Sequence, residues 1–236
     1  MSHTLNSISL FFVLSGFLCL LIILFTIFPR NRQSMKIMEA VWPLTGLWAS
    51  WLGLFAYLRL GKKQKAGDMA MDMSTPHMNM GDMKMPKRPK WQTIALSTLH
   101  CGAGCTLADL IGESFTSFVP VHIGGSLLAG QWTLDYILAL IIGIYFQYAA
   151  IRPMEKLPRF QVIKKAFKID FFSLTAWQIG MYGWMAIMIF WIFRETPLTH
   201  NSWEFWFMMQ IAMFFGFLTS YPANWILIRL GIKKGM

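Results

Sequence analysis

The chain of 236 residues is too apolar to be a soluble protein: 56% of its residues are hydrophobic, only 14% are charged, and its mean hydropathy is +0.47. Such a chain cannot cover its apolar surface with a polar shell, and several apolar runs reach the ~20 residues that a helix needs to cross the hydrocarbon core. The net charge of +10 lies in short loops beside these runs, where Lys and Arg set orientation and contact anionic headgroups. We therefore expect an all-α integral membrane protein whose partner is the lipid bilayer and not nucleic acid.

The first sixty residues predict two transmembrane helices. Residues 8–28 form an apolar run with no small-residue cleavage site after it, so we interpret it as a membrane helix and not as a signal peptide. A second run, from about residue 37 to residue 60, predicts the next helix.

The polar stretch at residues 61–90 contains an unusual density of methionine. Seven methionines alternate with Asp, Asn and His among the seventeen residues 69–85. The stretch has no apolar periodicity, so we expect it to be mostly disordered. It resembles the methionine motifs of copper-binding proteins, and thioethers favour soft ions such as Cu(I); a drifted linker is the alternative. The candidate metal ligands are Met69, Met71, Met73, His77, Met78, Met80, Met83 and Met85.

Residues 91–236 predict a membrane region of four further helices, which makes about six in all. The apolar runs are 91–119, 132–151, 171–193 and 203–230, the last with an interruption near Tyr221 and Pro222. The basic segment at 152–168 predicts an interfacial amphipathic helix.

The basic residues predict that both termini face the cytoplasm. With the N-terminus inside, 17 of the 21 Lys and Arg residues lie in cytoplasmic segments: 8 at residues 59–90, 6 at 152–168 and 3 in the C-terminal tail. The opposite orientation inverts this ratio, against the positive-inside rule. This N-in/C-in topology places the methionine-rich loop in the cytoplasm.

The third predicted helix carries four reactive side chains at intervals of four residues. Cys101, Cys105, Asp109 and Glu113 therefore share one helix face, whereas His100 points about 100° away from Cys101. Ionisable groups at membrane depth are costly and usually line a pathway or meet a partner. We predict a metal site at the two cysteines, with His100 as an additional candidate ligand, and a transport pathway past the two acids. Helix packing through small residues is the structural alternative.

Two methionine pairs and one asparagine extend this predicted pathway. Met181 and Met185 on the fifth helix, and Met209 and Met213 on the sixth, repeat the spacing of four residues. Methionine is also a routine filler of apolar cores, so packing is the alternative. Asn224 follows the predicted break at Pro222, and broken helices expose backbone groups at transport sites.

Two motifs in this region resemble a known family. The sequence Leu-His-Cys-Gly-Ala-Gly-Cys-Thr-Leu-Ala-Asp at residues 99–109, with Gly112 and Glu113, and Thr-Ser-Tyr-Pro-Ala-Asn-Trp at 219–225 are similar to the signature of a bacterial polytopic membrane family of unknown function. The resemblance spans roughly residues 91–236. It implies a multi-pass protein of the bacterial cytoplasmic membrane and supplies no activity.

The sequence favours a protein that handles a transition metal, above all one that transports or transfers Cu(I), with metal-donor proteins as further partners. An enzyme is less favoured. A membrane thiol-redox enzyme and a non-transporting assembly or interaction protein are the alternatives. Haem also stays open, because His100 and His122 could be axial ligands.

The topology can be tested with reporter fusions after residue 85 and at the C-terminus. Because basic residues are retained inside, we expect fluorescence from green fluorescent protein at both sites and no activity from alkaline phosphatase. Phosphatase activity at either site would contradict the N-in/C-in prediction.

Overall fold

The computed structural model describes residues 3–30, 33, 35–61, 90–152 and 158–233, without the side chains of residues 29 and 30. Within these ranges there are α-helices and no strands, which confirms the all-α prediction. The methionine-rich residues 69–85, including His77, lie outside the described residues. The six helices are α1 (His3–Arg30), α2 (Met38–Ala56), α3 (Lys90–Phe118), α4 (Leu127–Ile151), α5 (Arg159–Ile187) and α6 (Trp203–Arg229).

Five of these helices are long and apolar enough to cross a membrane: α1, α2 together with the π-helical turn Tyr57–Gly61, α3, α4 and α6. Helix α5 has 29 residues, but its first turns are basic, with Lys164, Lys165 and Lys168. A π-helical turn, Met188–Ile192, prolongs α5 at its other end. The chain is therefore a multi-pass helical membrane protein.

The predicted interfacial helix at residues 152–168 is wrong. From Arg159 onward this segment is the first part of α5, which continues without a break. Val162, Ala166 and Ile169 are buried together with Ile151 at the end of α4. Part of the segment's apolar face therefore packs against α4, whereas Phe160, Ile163 and Phe167 remain exposed.

The predicted interruption of the sixth helix is also wrong. Helix α6 continues through Pro222 to Arg229. A proline is tolerated in a membrane helix where neighbouring groups satisfy the backbone around it. Helix α4 begins at Leu127, earlier than expected, because the Ser126 hydroxyl accepts a hydrogen bond from the backbone N–H of Ala129 at 3.3 Å and caps the helix.

Helix α3 lies at the centre of the bundle. It packs against α2, α4, α5 and α6, whereas α1 packs against α2 and α6 at the periphery. The outer face of α1 exposes large apolar side chains such as Phe11 and Phe25, as expected for contact with lipid tails. The polar face of α3 is thus enclosed by protein.

Candidate functional site

The four side chains predicted to share one face of α3 are all buried. Cys101 and Asp109 are 2% exposed, Cys105 is fully buried and Glu113 is 6% exposed. This face therefore meets side chains of neighbouring helices: Cys101 contacts Asp170 of α5, Glu113 interacts with Asp135 of α4, and Asp109 lines a space shared with α1, α2 and α6. The structure therefore keeps this polar stripe (Cys101, Cys105, Asp109 and Glu113) inside the protein.

At one end of the stripe, the two thiols meet an aspartate from α5. Cys101 Sγ donates to Asp170 Oδ1 at 3.8 Å, and the Cys105 thiol and the Ser173 hydroxyl also interact with Cys101. Asp170 reaches this position because α4 carries Gly143 there: a Cβ on Gly143 would overlap the Asp170 carboxylate. The site at this end therefore combines two thiols, a carboxylate and a hydroxyl.

Asn224 lies beside this thiol end in a network of buried polar groups. Its Nδ2 donates to Ser173 Oγ at 2.7 Å and to Ser220 Oγ and the Ser220 carbonyl at 3.0 Å. Its Oδ1 accepts from Lys233 Nζ at 2.6 Å. The position of Asn224 thus comes from its tertiary contacts and not from a helix break.

At the other end of the stripe, Glu113 forms an ion pair with His200, which lies in the connection between α5 and α6. Glu113 Oε2 and His200 Nε2 are 2.7 Å apart. The hydrogen bond to Glu113 raises the pKa of His200 above its ordinary value, although partial burial opposes this shift. Asp135 of α4 interacts with Glu113, and Gly112 leaves the space that the Asp135 carboxylate fills.

A cavity of about 610 Å³ opens onto this acidic end. Its wall contains Glu113, Asp135 and His200 together with three methionines from the predicted pathway, Met181, Met185 and Met209. A second cavity of about 330 Å³ lies between α1, α2, α3 and α6. Asp109 lines this second cavity, as do Met209 and Met213. The methionine pairs therefore lie next to the acids of the stripe and not beside the thiols.

The two histidines considered as haem ligands are not brought together. His100 is buried on α3, with its ring 6.0 Å from that of Phe146. His122 is exposed in the turn after α3. His100 lies 18 residues before the end of α3, which corresponds to about 27 Å along the helix, so the two do not form a pair of axial ligands. His100 does interact electrostatically with Lys233, which lies at the thiol end.

Among the described residues, no group of three or more His, Cys, Asp and Glu side chains is arranged to hold a metal ion. The buried acids nevertheless keep free acceptor atoms. Both oxygens of Asp109, Oδ1 of Asp135 and Oδ2 of Asp170 have no hydrogen-bond partner in the described part of the chain. Because a buried ionised carboxylate without a partner is costly, a proton, a cation or a water molecule is needed to satisfy these oxygens.

Five residues of this site were missed by sequence reasoning: Ser173 and the ionisable Asp135, Asp170, His200 and Lys233. Asp135 is the single acid of the fourth apolar run and Asp170 directly precedes the fifth. Since an ionisable residue inside a membrane helix indicates function by default, Asp135 could have been found from the sequence, whereas Asp170 lies just outside the predicted run. His200 and Lys233 lie outside the predicted helices, and only the tertiary structure brings them to the stripe.

Membrane-length helices around a buried polar stripe define the chain as an α-helical multi-pass membrane protein. The family model described as a domain of unknown function (DUF4396) matches residues 90–233, which is more than half of the chain, so the protein belongs to this family. This match confirms the predicted resemblance to a family of unknown function, and it does not include residues 69–85. No curated protein matches the chain. No solved structure matches it either.

The fit of Asp170 against α4 predicts a position-specific effect of Gly143→Ala. Because the added Cβ overlaps the Asp170 carboxylate, we expect the free energy of unfolding to fall by about 1–3 kcal/mol, the usual cost of overpacking. The measurement is thermal unfolding in detergent. Gly183→Ala on α5 is the control, since its Cβ meets no atom within 4 Å and alanine favours a helix by about 0.5–1 kcal/mol. Equal shifts in both variants would contradict this packing.

The ion pair between His200 and Glu113 predicts a pH-dependent difference between the wild type and His200→Gln. Because Glu113 raises the pKa of His200, the stabilisation is complete below the ordinary histidine pKa of about 6.5 and is lost as the pH rises through the raised pKa. The melting temperature of the variant should therefore lie below that of the wild type at acidic pH and approach it at alkaline pH.

The control for this comparison is His122→Gln, in the exposed turn after α3, which should follow the wild type at every pH. If the melting temperature of His200→Gln lies below that of the wild type by the same amount at every pH, or by more as the pH rises, the ion pair is contradicted.

Proposed function

We propose that this protein handles a soft transition-metal ion, most specifically that it transports or transfers Cu(I) across the bacterial cytoplasmic membrane. The observation that carries the proposal is the cavity of about 610 Å³, in which Met181, Met185 and Met209 line one wall together with Glu113 and His200. Thioether, imidazole and thiolate groups favour Cu(I). A purely apolar packing role would not require an acid and a histidine beside these methionines.

The route for the ion connects this cavity with the thiol end along the stripe on α3. Glu113 and Asp135 lie together at the cavity. Asp109 lies one turn from Glu113 and one turn from Cys105 on the same face of α3, so it connects the cavity end with the thiols. Its two oxygens lack partners among the described groups. Cys101 and Cys105, with Asp170 beside them, form the softest site on the route. The thiols would hold the ion, and the acids would lie on its way between the thiols and the cavity.

The methionine-rich residues 69–85 support the proposal independently of the membrane site. Their composition suits weak binding of Cu(I), from which an ion can be passed on. In the N-in/C-in topology this loop faces the cytoplasm, so it would collect Cu(I) from cytosolic metal-donor proteins for export or storage.

Thiol-redox chemistry is the second candidate, because Cys101 and Cys105 interact with each other and both are free. Thiol–disulfide exchange requires that an attacking thiolate reach one of the sulfurs. Cys101 is 2% exposed and Cys105 is fully buried, which leaves little access for a partner protein. A mixed disulfide trapped between Cys101 or Cys105 and another protein would favour this candidate over metal handling.

The proposal is tested by metal analysis of protein purified anaerobically without residues 69–85. We expect this protein to retain Cu(I), because the membrane site remains. Cys101→Ser/Cys105→Ser should weaken Cu(I) binding by more than about tenfold, since removal of even outer-sphere groups costs this much at metal sites.

Cys19→Ser is the matched control, because Cys19 is also a buried free cysteine but lies on α1; it should bind Cu(I) like the unmodified protein. Absence of Cu(I) from the loop-deleted protein, or equal binding by the double variant and Cys19→Ser, would contradict a metal site at the thiols.

A further inference from the structure

Lys233 is buried in the bundle, although it follows the end of α6. The helix closes at Leu230, Gly231 adopts a φ of 69°, and the chain turns back so that Lys233 is only 2% exposed. Lysine is almost never fully buried without a partner. Burial lowers the pKa of Lys233, and the neighbouring Cys101 and Asp170 counteract part of this shift. A position as costly as this requires a compensating site.

That site presents oxygen atoms to the ammonium group. Lys233 Nζ donates to Asn224 Oδ1 at 2.6 Å and to the Ser97 carbonyl at 3.2 Å. The Asn224 amide is held in this orientation because its Nδ2 is engaged by Ser173 and Ser220. Oxygens from α3 and α6 thus converge on a single positive charge.

The ammonium group also adjoins the thiol end of the stripe. Ser97 lies one helical turn before Cys101 on α3, and Lys233 interacts electrostatically with both Cys101 and Asp170. A cation bound at the thiols would therefore meet a like charge a short distance away, in a low-dielectric interior where such repulsion is strong.

We propose that the Lys233 ammonium is a tethered occupant of a monovalent-cation site formed by Asn224 Oδ1 and the Ser97 carbonyl in the field of Asp170, and that it closes the inner end of the pathway. While Lys233 is in place, the oxygens are satisfied and a second positive charge is repelled. Withdrawal of its flexible four-carbon stem vacates the site for a free cation. The cation site stands without the proposed metal function, whereas its role as a gate rests on that function.

The first experiment needs no metal. Purified Lys233→Ala is melted in ammonium, methylammonium or N-methylglucamine chloride at equal ionic strength. In N-methylglucamine we expect the melting temperature of Lys233→Ala to lie about 5–10 °C below that of the wild type, because a buried partner is removed. Ammonium or methylammonium should restore at least half of this difference. Lys168→Ala, at an exposed lysine of α5, is the control and should respond to none of the salts. Wild-type stability of Lys233→Ala, or a loss that no small cation reverses, would overturn the cation site.

The second experiment measures Ag(I) flux, as a redox-stable substitute for Cu(I), in proteoliposomes. Lys233→Gln keeps a donor for Asn224 and removes the charge, so it should fold even if the alanine variant does not. We expect its flux to exceed that of the wild type and of Lys168→Gln by about tenfold or more; an equal or lower flux overturns the gate. If small cations restore the melting temperature of Lys233→Ala but no variant and no wild-type protein shows Ag(I) flux, the cation site stands and the proposed transport function is rejected.

Discussion

The structure depends on the burial of one ionisable stripe in the most enclosed helix. The two acids on α3 would each cost a few kcal/mol if they faced lipid, and the bundle avoids this cost by surrounding α3 with α2, α4, α5 and α6. The enclosure is close enough for carboxylates from neighbouring helices to reach the stripe, because Gly112 and Gly143 leave space for Asp135 and Asp170. Helix packing and site chemistry are therefore consequences of the same contacts.

The two ends of the stripe differ in chemistry. At the cavity end, carboxylates, an imidazole and thioethers line a space of about 610 Å³. At the other end, thiols meet Asp170 and a network of Ser173, Asn224 and Lys233 that contains no cavity-lining methionine. The cavity end thus combines hard carboxylates with soft thioethers, whereas the other end presents two thiols beside one carboxylate; both ends carry sulfur groups of the kind that the proposed handling of a soft cation requires.

The sequence predicts the stripe well, because a repeat of four residues on a helix is a local property and needs no knowledge of neighbours. The helices are predicted for the same reason, since an apolar run is also a local property. Their boundaries depend on packing instead: the basic start of α5 is helical because Val162, Ala166 and Ile169 pack against α4. The fifth apolar run begins at Phe171, directly after Asp170. Hydropathy alone therefore predicts that Asp170, the partner of Cys101, lies at the surface of the membrane. His200 and Lys233 reach the stripe from a connection and from the C-terminal tail, through contacts between residues far apart in sequence. No local pattern contains that information.

The central claim, that the thiol end of the stripe binds a soft ion, is tested most directly by X-ray absorption at the copper edge. The sample is protein without residues 69–85, loaded with one equivalent of Cu(I) under anaerobic conditions. If the thiols bind the ion, the atoms that coordinate copper should be mainly sulfur. This sulfur coordination should be lost in Cys101→Ser/Cys105→Ser and retained in Cys19→Ser. A first shell of nitrogen and oxygen only, or an identical sulfur shell in the double variant, would contradict it.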